Sequence, residues 1–222
     1  MKVIELKKSV TDSNDRDAAL LRRELDEKGM LLINLMSAAG SGKTTFLSRT
    51  ITDLKDLRIA VIEADIESVV DAERIAKLGA RSIQAHTDGM CHMDAGMTRE
   101  AVESIGTDET DVLFLENIGN LICPAEYDTG AQRNVMILSV PEGDDKPLKY
   151  PLMFENSNVL IITKTDTMSY FDFDMDKCIE RVRRLNPFIE IFPVSAKTGE
   201  GMDKWEKWLI REVQETKNRR KR

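Results

Sequence analysis

A run of eight residues has the composition and spacing of a phosphate-binding loop: Ser37-Ala38-Ala39-Gly40-Ser41-Gly42-Lys43-Thr44. Small residues let backbone N–H groups close around a phosphate, the Lys43 ammonium can reach its β and γ oxygens, and the Thr44 hydroxyl can bind magnesium. Ser37 stands where the general pattern has glycine, which would cost about 1 kcal/mol if that position needs a positive φ. The predicted phosphate-binding residues are Ala39, Gly40, Ser41, Gly42, Lys43, Thr44 and Thr45.

Two later segments resemble the guanine-recognition loops of GTPases: Thr163-Lys164-Thr165-Asp166 and Ser195-Ala196-Lys197-Thr198-Gly199. A carboxylate at Asp166 can accept hydrogen bonds from N1–H and from the exocyclic amine of guanine, a donor pair that adenine lacks. The stem of Lys164 would lie along the base, and the backbone of the second segment would donate to O6. Thr163 replaces the more usual asparagine, so we expect its loop to be less well braced. The predicted base-binding residues are Lys164, Asp166, Ser195, Ala196 and Lys197.

Carboxylates at the ends of two apolar runs are candidate magnesium ligands. Asp65 follows one run and Glu116 closes another. Magnesium keeps much of its hydration shell, so such carboxylates can hold it directly or through water. We predict Lys43, Asp65 and Glu116 as catalytic residues, and Thr44, Asp65 and Glu116 as the magnesium set. Asp71 is a substitute ligand, although its position at the start of a predicted helix fits N-capping especially well.

These motifs lie at the ends of short apolar runs that alternate with amphipathic segments. The alternation predicts an α/β fold of the P-loop NTPase class, an open, mostly parallel sheet with helices on both faces. Ligands of such sheets bind at the carboxyl ends of the strands. Strands are predicted at 31–36, 59–63, 112–116, 135–140, 159–163 and 189–194, and helices at 9–28, 44–54, 71–78, 94–105, 174–185 and 202–213.

Length and charge limit the organisation and the partners. The chain has 222 residues, and 39 acidic against 32 basic residues give a net charge of −7. We expect residues 1–30 to form a charged helical extension, packed through Ala18, Leu21 and Leu25, and residues 31–222 to form the GTPase domain, the whole being one structural unit. The acidic balance argues against nucleic acid as a partner, and the absence of a long apolar run argues against a membrane. A cytoplasmic protein is therefore expected, with a solvated basic tail at 218–222.

Three cysteines are too few for a disulfide framework. Cys91 and His92 precede a predicted helix, and Cys123 lies in the loop after Glu116. Thiolates and imidazole are preferred ligands of zinc and nickel, and three such ligands leave a coordination position open. From the residues alone, a structural role for the Cys-His pair is better supported than a metal site. Cys178 falls at an apolar helical position and is expected in the core.

Three segments resemble the hydrogenase nickel-incorporation GTPase family, HypB: Cys91-His92-Met93-Asp94-Ala95, Glu116-Asn117-Ile118-Gly119-Asn120-Leu121-Ile122-Cys123-Pro124 and Ser139-Val140-Pro141-Glu142-Gly143-Asp144-Asp145-Lys146-Pro147. The resemblance extends from about Leu31 to the end of the last helix, and the family also has serine at the position of Ser37. It implies a GTPase that uses magnesium and binds nickel or zinc through Cys91, His92 and Cys123 at a GTP-dependent homodimer interface. Its implied partners are other hydrogenase maturation proteins and the hydrogenase large subunit. With two histidines and no cysteine-rich or histidine-rich tract, metal transfer is expected rather than storage.

Three other functions are compatible with parts of the sequence. The related urease nickel GTPase shares the nucleotide loops but has Cys-Pro-His where this chain has Cys91-His92-Met93. A small-molecule P-loop kinase would use ATP and leave Asp166 without a role. A GTP-dependent scaffold would bind nucleotide with negligible hydrolysis.

Overall fold

The structure is a computed structural model that describes residues 6–65, 74–87 and 89–220. Within these ranges seven strands alternate with helices. The strands are β1 Leu31–Ser37, β2 Ile59–Asp65, β3 Arg81–His86, β4 Val112–Gly119, β5 Arg133–Ser139, β6 Val159–Thr163 and β7 Glu190–Pro193. The helices are α1 Leu6–Lys28, α2 Lys43–Asp53, α3 Ala95–Ile105, α4 Cys123–Glu126, α5 Lys146–Lys149, α6 Pro151–Glu155, α7 Met175–Leu185 and α8 Met202–Arg219.

The strands form one sheet in the order β3-β2-β4-β1-β5-β6-β7, and every described strand pair is parallel. β1 lies at its centre, where all seven of its residues are buried. β-branched and leucine-rich runs suit this position because parallel strands are covered by helices on both faces. The predicted open parallel sheet is confirmed.

Alternate residues of β1 face different cores. Leu31, Ile33 and Leu35 pack with residues of α2 and α8, whereas Leu32 packs with residues of α1 and α3. Another core lies under α6 and α7 and includes Met36. The two-residue period of the strand therefore distributes one apolar segment over both layers of helices.

Helix α1 packs on the sheet through the stripe expected from the sequence. Ala18, Leu21 and Leu25 are buried, and the last two share a core with residues of α3 and of the central strands. Asn14 continues the same stripe one turn earlier and is also buried. The segment preceding β1 is thus packed against the central sheet.

The sequence missed β3. Its residues are half-exposed or exposed at the edge of the sheet and include Arg81, Ser82 and Gln84, so no continuous apolar run marks it. An edge strand buries less of its surface, which weakens the pattern that identifies strands. The helix predicted at 71–78 begins outside the described residues, and 74–76 are helical.

The basic ending is predicted as a solvated tail; Asn218, Arg219 and Arg220 are exposed, and residues 221–222 lie outside the described part of the chain. Helix α8 continues to Arg219, whose guanidinium lies 3.3 Å from the carboxylate of Asp26 in α1. Arg220 donates to the carbonyl of Lys28 at 3.4 Å.

Among the described residues, no helix has the length and apolar character needed to cross a membrane.

Candidate nucleotide and metal site

The phosphate loop joins β1 to α2 with two left-handed glycines. Gly40 has φ 75° and Gly42, the residue before α2, has φ 98°. Ser37 ends β1 in strand conformation, and the non-glycine residues with positive φ in the described chain are Glu109 and Lys164. The strain considered for Ser37 is therefore absent. The N–H groups at the start of α2 supply the donors and the positive helix end that a phosphate requires.

Two side chains of the loop are held by neighbouring strands. Lys43 Nζ lies 2.9 Å from Ser37 Oγ, at the end of β1. Thr44 Oγ1 donates to Glu116 Oε1 of β4 at 2.9 Å. Ser41 is fully buried, so its position requires a small side chain in addition to a backbone N–H donor.

The predicted base loops line a pocket of about 270 Å³ beside the phosphate loop. Ser195 Oγ donates to Asp166 Oδ1 at 2.7 Å, which fixes the orientation of the carboxylate. Lys164 has φ 61°, and its Nζ donates to the carbonyl of Gly40 at 2.8 Å. The pocket residues are Gly42, Thr45, Thr163, Lys164, Asp166, Thr167, Ala196 and Lys197.

Thr163 corrects the expectation of a poorly braced loop. Its hydroxyl donates to the carbonyl of Ser41 at 2.7 Å, and both residues are buried. The threonine therefore ties the end of β6 directly to the phosphate loop.

The sequence also missed Arg49 of α2, which lies against Gly199. A Cβ added at Gly199 would come within 2.8 Å of the Arg49 guanidinium. A single arginine outside any motif gives no indication in the sequence of which residues it will contact.

The candidate magnesium residues converge in part. Glu116 of β4 is buried beside the phosphate loop, and Glu63 of β2, which the sequence analysis did not select, is buried as its register partner. Two carboxylates buried on neighbouring strands repel each other, which favours a cation between them and the phosphates. The donor set therefore fits magnesium. Asp65 ends β2, but its side chain and all of Asp71 lie outside the described residues.

Gly119 ends β4 in direct contact with the phosphate loop. A Cβ at this position would lie 2.9 Å from both N and Cα of Ala39. Contacts below 3 Å with backbone require a displacement, so only glycine fits without moving the loop. The loop after Gly119 leads to Cys123.

Cys91, His92 and Cys123 meet at the end of that loop. One ligand atom from each residue lies within 4.8 Å of the other two. The two sulfur atoms are 2.7 Å apart, and Cys91 Sγ is 3.8 Å from His92 Nδ1. All three cysteines of the chain are free thiols. The fold thus brings together two loops separated by more than thirty residues, as a metal site from these residues requires.

The environment of the cluster suits a soft divalent ion. Burial lowers the pKa of His92, which keeps the imidazole neutral and able to donate a lone pair. The hydrogen bond with Cys123 raises the pKa of the Cys91 thiol, so a bound cation would replace a proton there. The ring of Tyr127 stacks on His92 with centroids 3.9 Å apart. Sequence analysis did not identify this tyrosine.

Cys178 lies in a different environment. It is fully buried in the core beneath α6 and α7, and burial raises the pKa of its thiol to about 12. The predicted core position is confirmed.

Comparisons with known proteins agree with this arrangement. Residues 31–193 match the family model described as CobW/HypB/UreG, nucleotide-binding domain. The hydrogenase maturation factor HypB of Rhizobium leguminosarum bv. viciae is 46% identical over 209 residues, covering 94% of this chain and 70% of that protein. The hydrogenase/urease maturation factor HypB of Helicobacter pylori strain J99 is 36% identical over 218 residues, covering 96% and 90%. A crystal structure of Helicobacter pylori HypB in complex with nickel has a TM-score of 0.86 and 37% identity, covering 91% of this chain and 96% of that one.

Proposed function

The chain belongs to the CobW/HypB/UreG family, and we propose that it is a GTP-hydrolysing metallochaperone that binds nickel or zinc and assists nickel insertion during maturation of nickel–iron hydrogenase. The observation that carries the proposal is the convergence of Cys91, His92 and Cys123 at the end of a segment that begins at the phosphate loop. A nucleotide site alone would be compatible with many functions. Two thiols and an imidazole joined to it support metal handling, because these groups are preferred ligands of nickel and zinc.

GTP is the proposed substrate. Asp166, oriented by Ser195, would accept from the two guanine donors, which supports GTP over ATP and argues against a small-molecule kinase. Lys43 would neutralise charge on the β and γ phosphates and stabilise it further as the bond to the leaving phosphate breaks. Thr44, Glu116 and Asp65 would hold magnesium, which supplies charge neutralisation to the phosphates.

The metal is cargo in this proposal. Two thiolates and one neutral imidazole from one chain leave at least one position for a further ligand. Such an incomplete set favours exchange with a partner over permanent storage. We propose that the partners are a second copy of the chain in the GTP state, other maturation proteins and the hydrogenase large subunit, in the cytoplasm.

Urease maturation is a second candidate. The Helicobacter pylori relative is described as a maturation factor for hydrogenase and urease, so the same type of chain can serve both enzymes. The Cys91-His92 order matches the HypB resemblance rather than the urease GTPase pattern, which places hydrogenase first.

The test is nickel and zinc titration combined with phosphate release. The wild type should bind one metal per cluster, and Cys123→Ser should weaken binding at least tenfold, because a hydroxyl is a poor replacement for a thiolate. Cys178→Ala is the matched control, since it removes a thiol outside the cluster. GTP turnover should be measurable over hours. Unchanged metal binding by Cys123→Ser would refute the metal site, and no turnover would leave only the scaffold function.

A further inference from the structure

Asn14 is a buried polar residue in the apolar stripe of α1. It lies four residues before Ala18 and is 9% exposed. A buried carboxamide is costly unless its donors and acceptors are paired, so its partners report why asparagine is present. These partners belong to the two segments of the chain that carry the metal-ligand candidates.

One bond of Asn14 holds the segment after Cys91 and His92. Its Oδ1 accepts from the backbone N–H of Ala95 at 2.9 Å, at the first residue of α3. Asp94 caps the same helix through a 2.8 Å bond from Met97 N. Because His92 lies three residues before Ala95, this bond fixes the end of the loop that carries the histidine.

The other bond holds the segment after Cys123. Asn14 Nδ2 donates to the carbonyl of Asp128 at 2.9 Å. Asp128 directly follows Tyr127, the residue whose ring stacks on His92. Arg22 lies two turns along α1, and its Nη2 donates to both carboxylate oxygens of Asp128 at 2.6 and 2.7 Å. Its Nε donates to the carbonyl of Ala131 at 3.0 Å.

We propose that Asn14 is a positioning residue for the Cys91, His92 and Cys123 cluster, so that the docking of α1 sets metal affinity. One carboxamide joins the two ligand-bearing segments, and the Arg22 and Asp128 pair holds the second of them in place. Loss of these bonds lets the Tyr127 segment and the start of α3 separate, and the three ligand atoms no longer meet. Release of α1 would then lower the affinity for the cargo ion. The inference rests on the proposed metal site.

The test compares Asn14→Ala and Arg22→Gln with wild type and with Ser13→Ala, an exposed neighbour on the same helix. Arg22→Gln leaves the apolar stripe intact and covers the case in which Asn14→Ala folds poorly. Zinc affinity is measured by competition, cobalt(II) absorption reports ligand geometry, and binding of fluorescent GDP reports the nucleotide site. Loss of a residue that hydrogen-bonds a metal ligand directly typically changes metal affinity by about 10- to 100-fold. Asn14 holds the backbone beside the ligands, so the lower end of that range is expected. We expect a loss of at least about tenfold in both variants, an altered cobalt spectrum, and GDP affinity within about twofold of wild type.

Equal zinc affinity in wild type and both variants would overturn the positioning role while leaving the metal site in place. An equal loss of zinc affinity and GDP affinity would also overturn the positioning role. The contacts of α1 would then stabilise the domain as a whole, with no specific effect on the metal cluster. If the wild type fails to bind zinc, or if Cys123→Ser binds zinc as tightly as the wild type, the proposed metal site is wrong. This inference is then wrong as well.

Discussion

The hydroxyl of Thr44 donates a 2.9 Å hydrogen bond to Glu116, which joins the phosphate loop to the strand that leads to Cys123. Gly119, three residues after Glu116, touches the phosphate loop at Ala39. Even fully extended, the seven residues from Glu116 to Cys123 span no more than about 25 Å. The nucleotide and metal candidates therefore share one short segment, which is the physical requirement for coupling between them.

We predict that metal affinity depends on the bound nucleotide. A γ-phosphate that displaces Gly119 should move Cys123 relative to Cys91 and His92. Zinc or nickel affinity should then differ by about 5- to 150-fold between GDP and a non-hydrolysable GTP analogue, with a matching effect of metal on GTP-state dimerisation. Titration and solution mass in both nucleotide states measure this, with Cys123→Ser as the variant that should abolish it. Equal affinities in the two states would exclude the coupling.

Gly119→Ala should disturb nucleotide binding by steric contact. The added Cβ would meet backbone atoms of Ala39 at 2.9 Å, so the phosphate loop or β4 must shift. We expect GTP affinity and turnover to fall by about tenfold or more, because misplacement by about 1 Å in such a site is costly. Gly96→Ala is the control, since its Cβ would make an ordinary 3.4 Å contact with the side chain of Asp94, just before α3. Wild-type turnover in Gly119→Ala would show that the contact has no role.

Asp166→Asn should change base specificity. An amide placed where guanine donates loses one acceptor, and we expect GTP affinity to fall by about 10- to 100-fold while xanthosine triphosphate binds better. The matched control is Asp172→Asn, an exposed carboxylate on the segment that follows. Competition against labelled GDP measures both. If GTP still binds Asp166→Asn as it binds the wild type, the carboxylate does not read the base.

Lys43→Ala should abolish turnover and preserve the fold. The ammonium serves phosphate charge, and its contact with Ser37 contributes little to the folded state. Phosphate release should fall by about 100-fold or more, with the melting temperature of the nucleotide-free protein unchanged. Lys55→Ala, an exposed lysine beyond the end of α2, should behave as wild type. Normal hydrolysis by Lys43→Ala would refute the assignment of the phosphate loop.

Metal affinity should rise with pH. The hydrogen bond with Cys123 raises the pKa of Cys91, so a proton leaves that thiol as metal binds, whereas burial lowers the pKa of His92 and keeps its ring neutral near pH 7. Between about pH 7 and 8.5 zinc affinity should increase about tenfold per pH unit for each proton displaced. Competition titrations at several pH values test this, and Cys91→Ser should show a shallower dependence. A flat profile would show that no thiol proton is displaced.

The sequence was sufficient for the parts of the site whose chemistry depends on neighbouring residues. A phosphate loop uses consecutive backbone N–H groups, so its position after an apolar strand and before a helix could be predicted from residues 31–45 alone. The buried strands and the stripe of Ala18, Leu21 and Leu25 could also be predicted from the sequence. Burial imposes an apolar period of two residues on a strand and of about 3.6 residues on a helix. The resemblance of the cysteine segments added the expected metal ligands.

Tertiary structure decided the contacts between residues far apart in the chain. The meeting of Cys91 with Cys123 depends on how two loops leave the sheet, which no local pattern encodes. The same holds for Thr163 bound to Ser41, for Tyr127 stacked on His92, and for β3, whose edge position removes the apolar signal. Asn14 is the clearest case. In the sequence it is one polar residue among many in a charged helix, and only the folded chain brings its two hydrogen-bonding groups to Ala95 and Asp128.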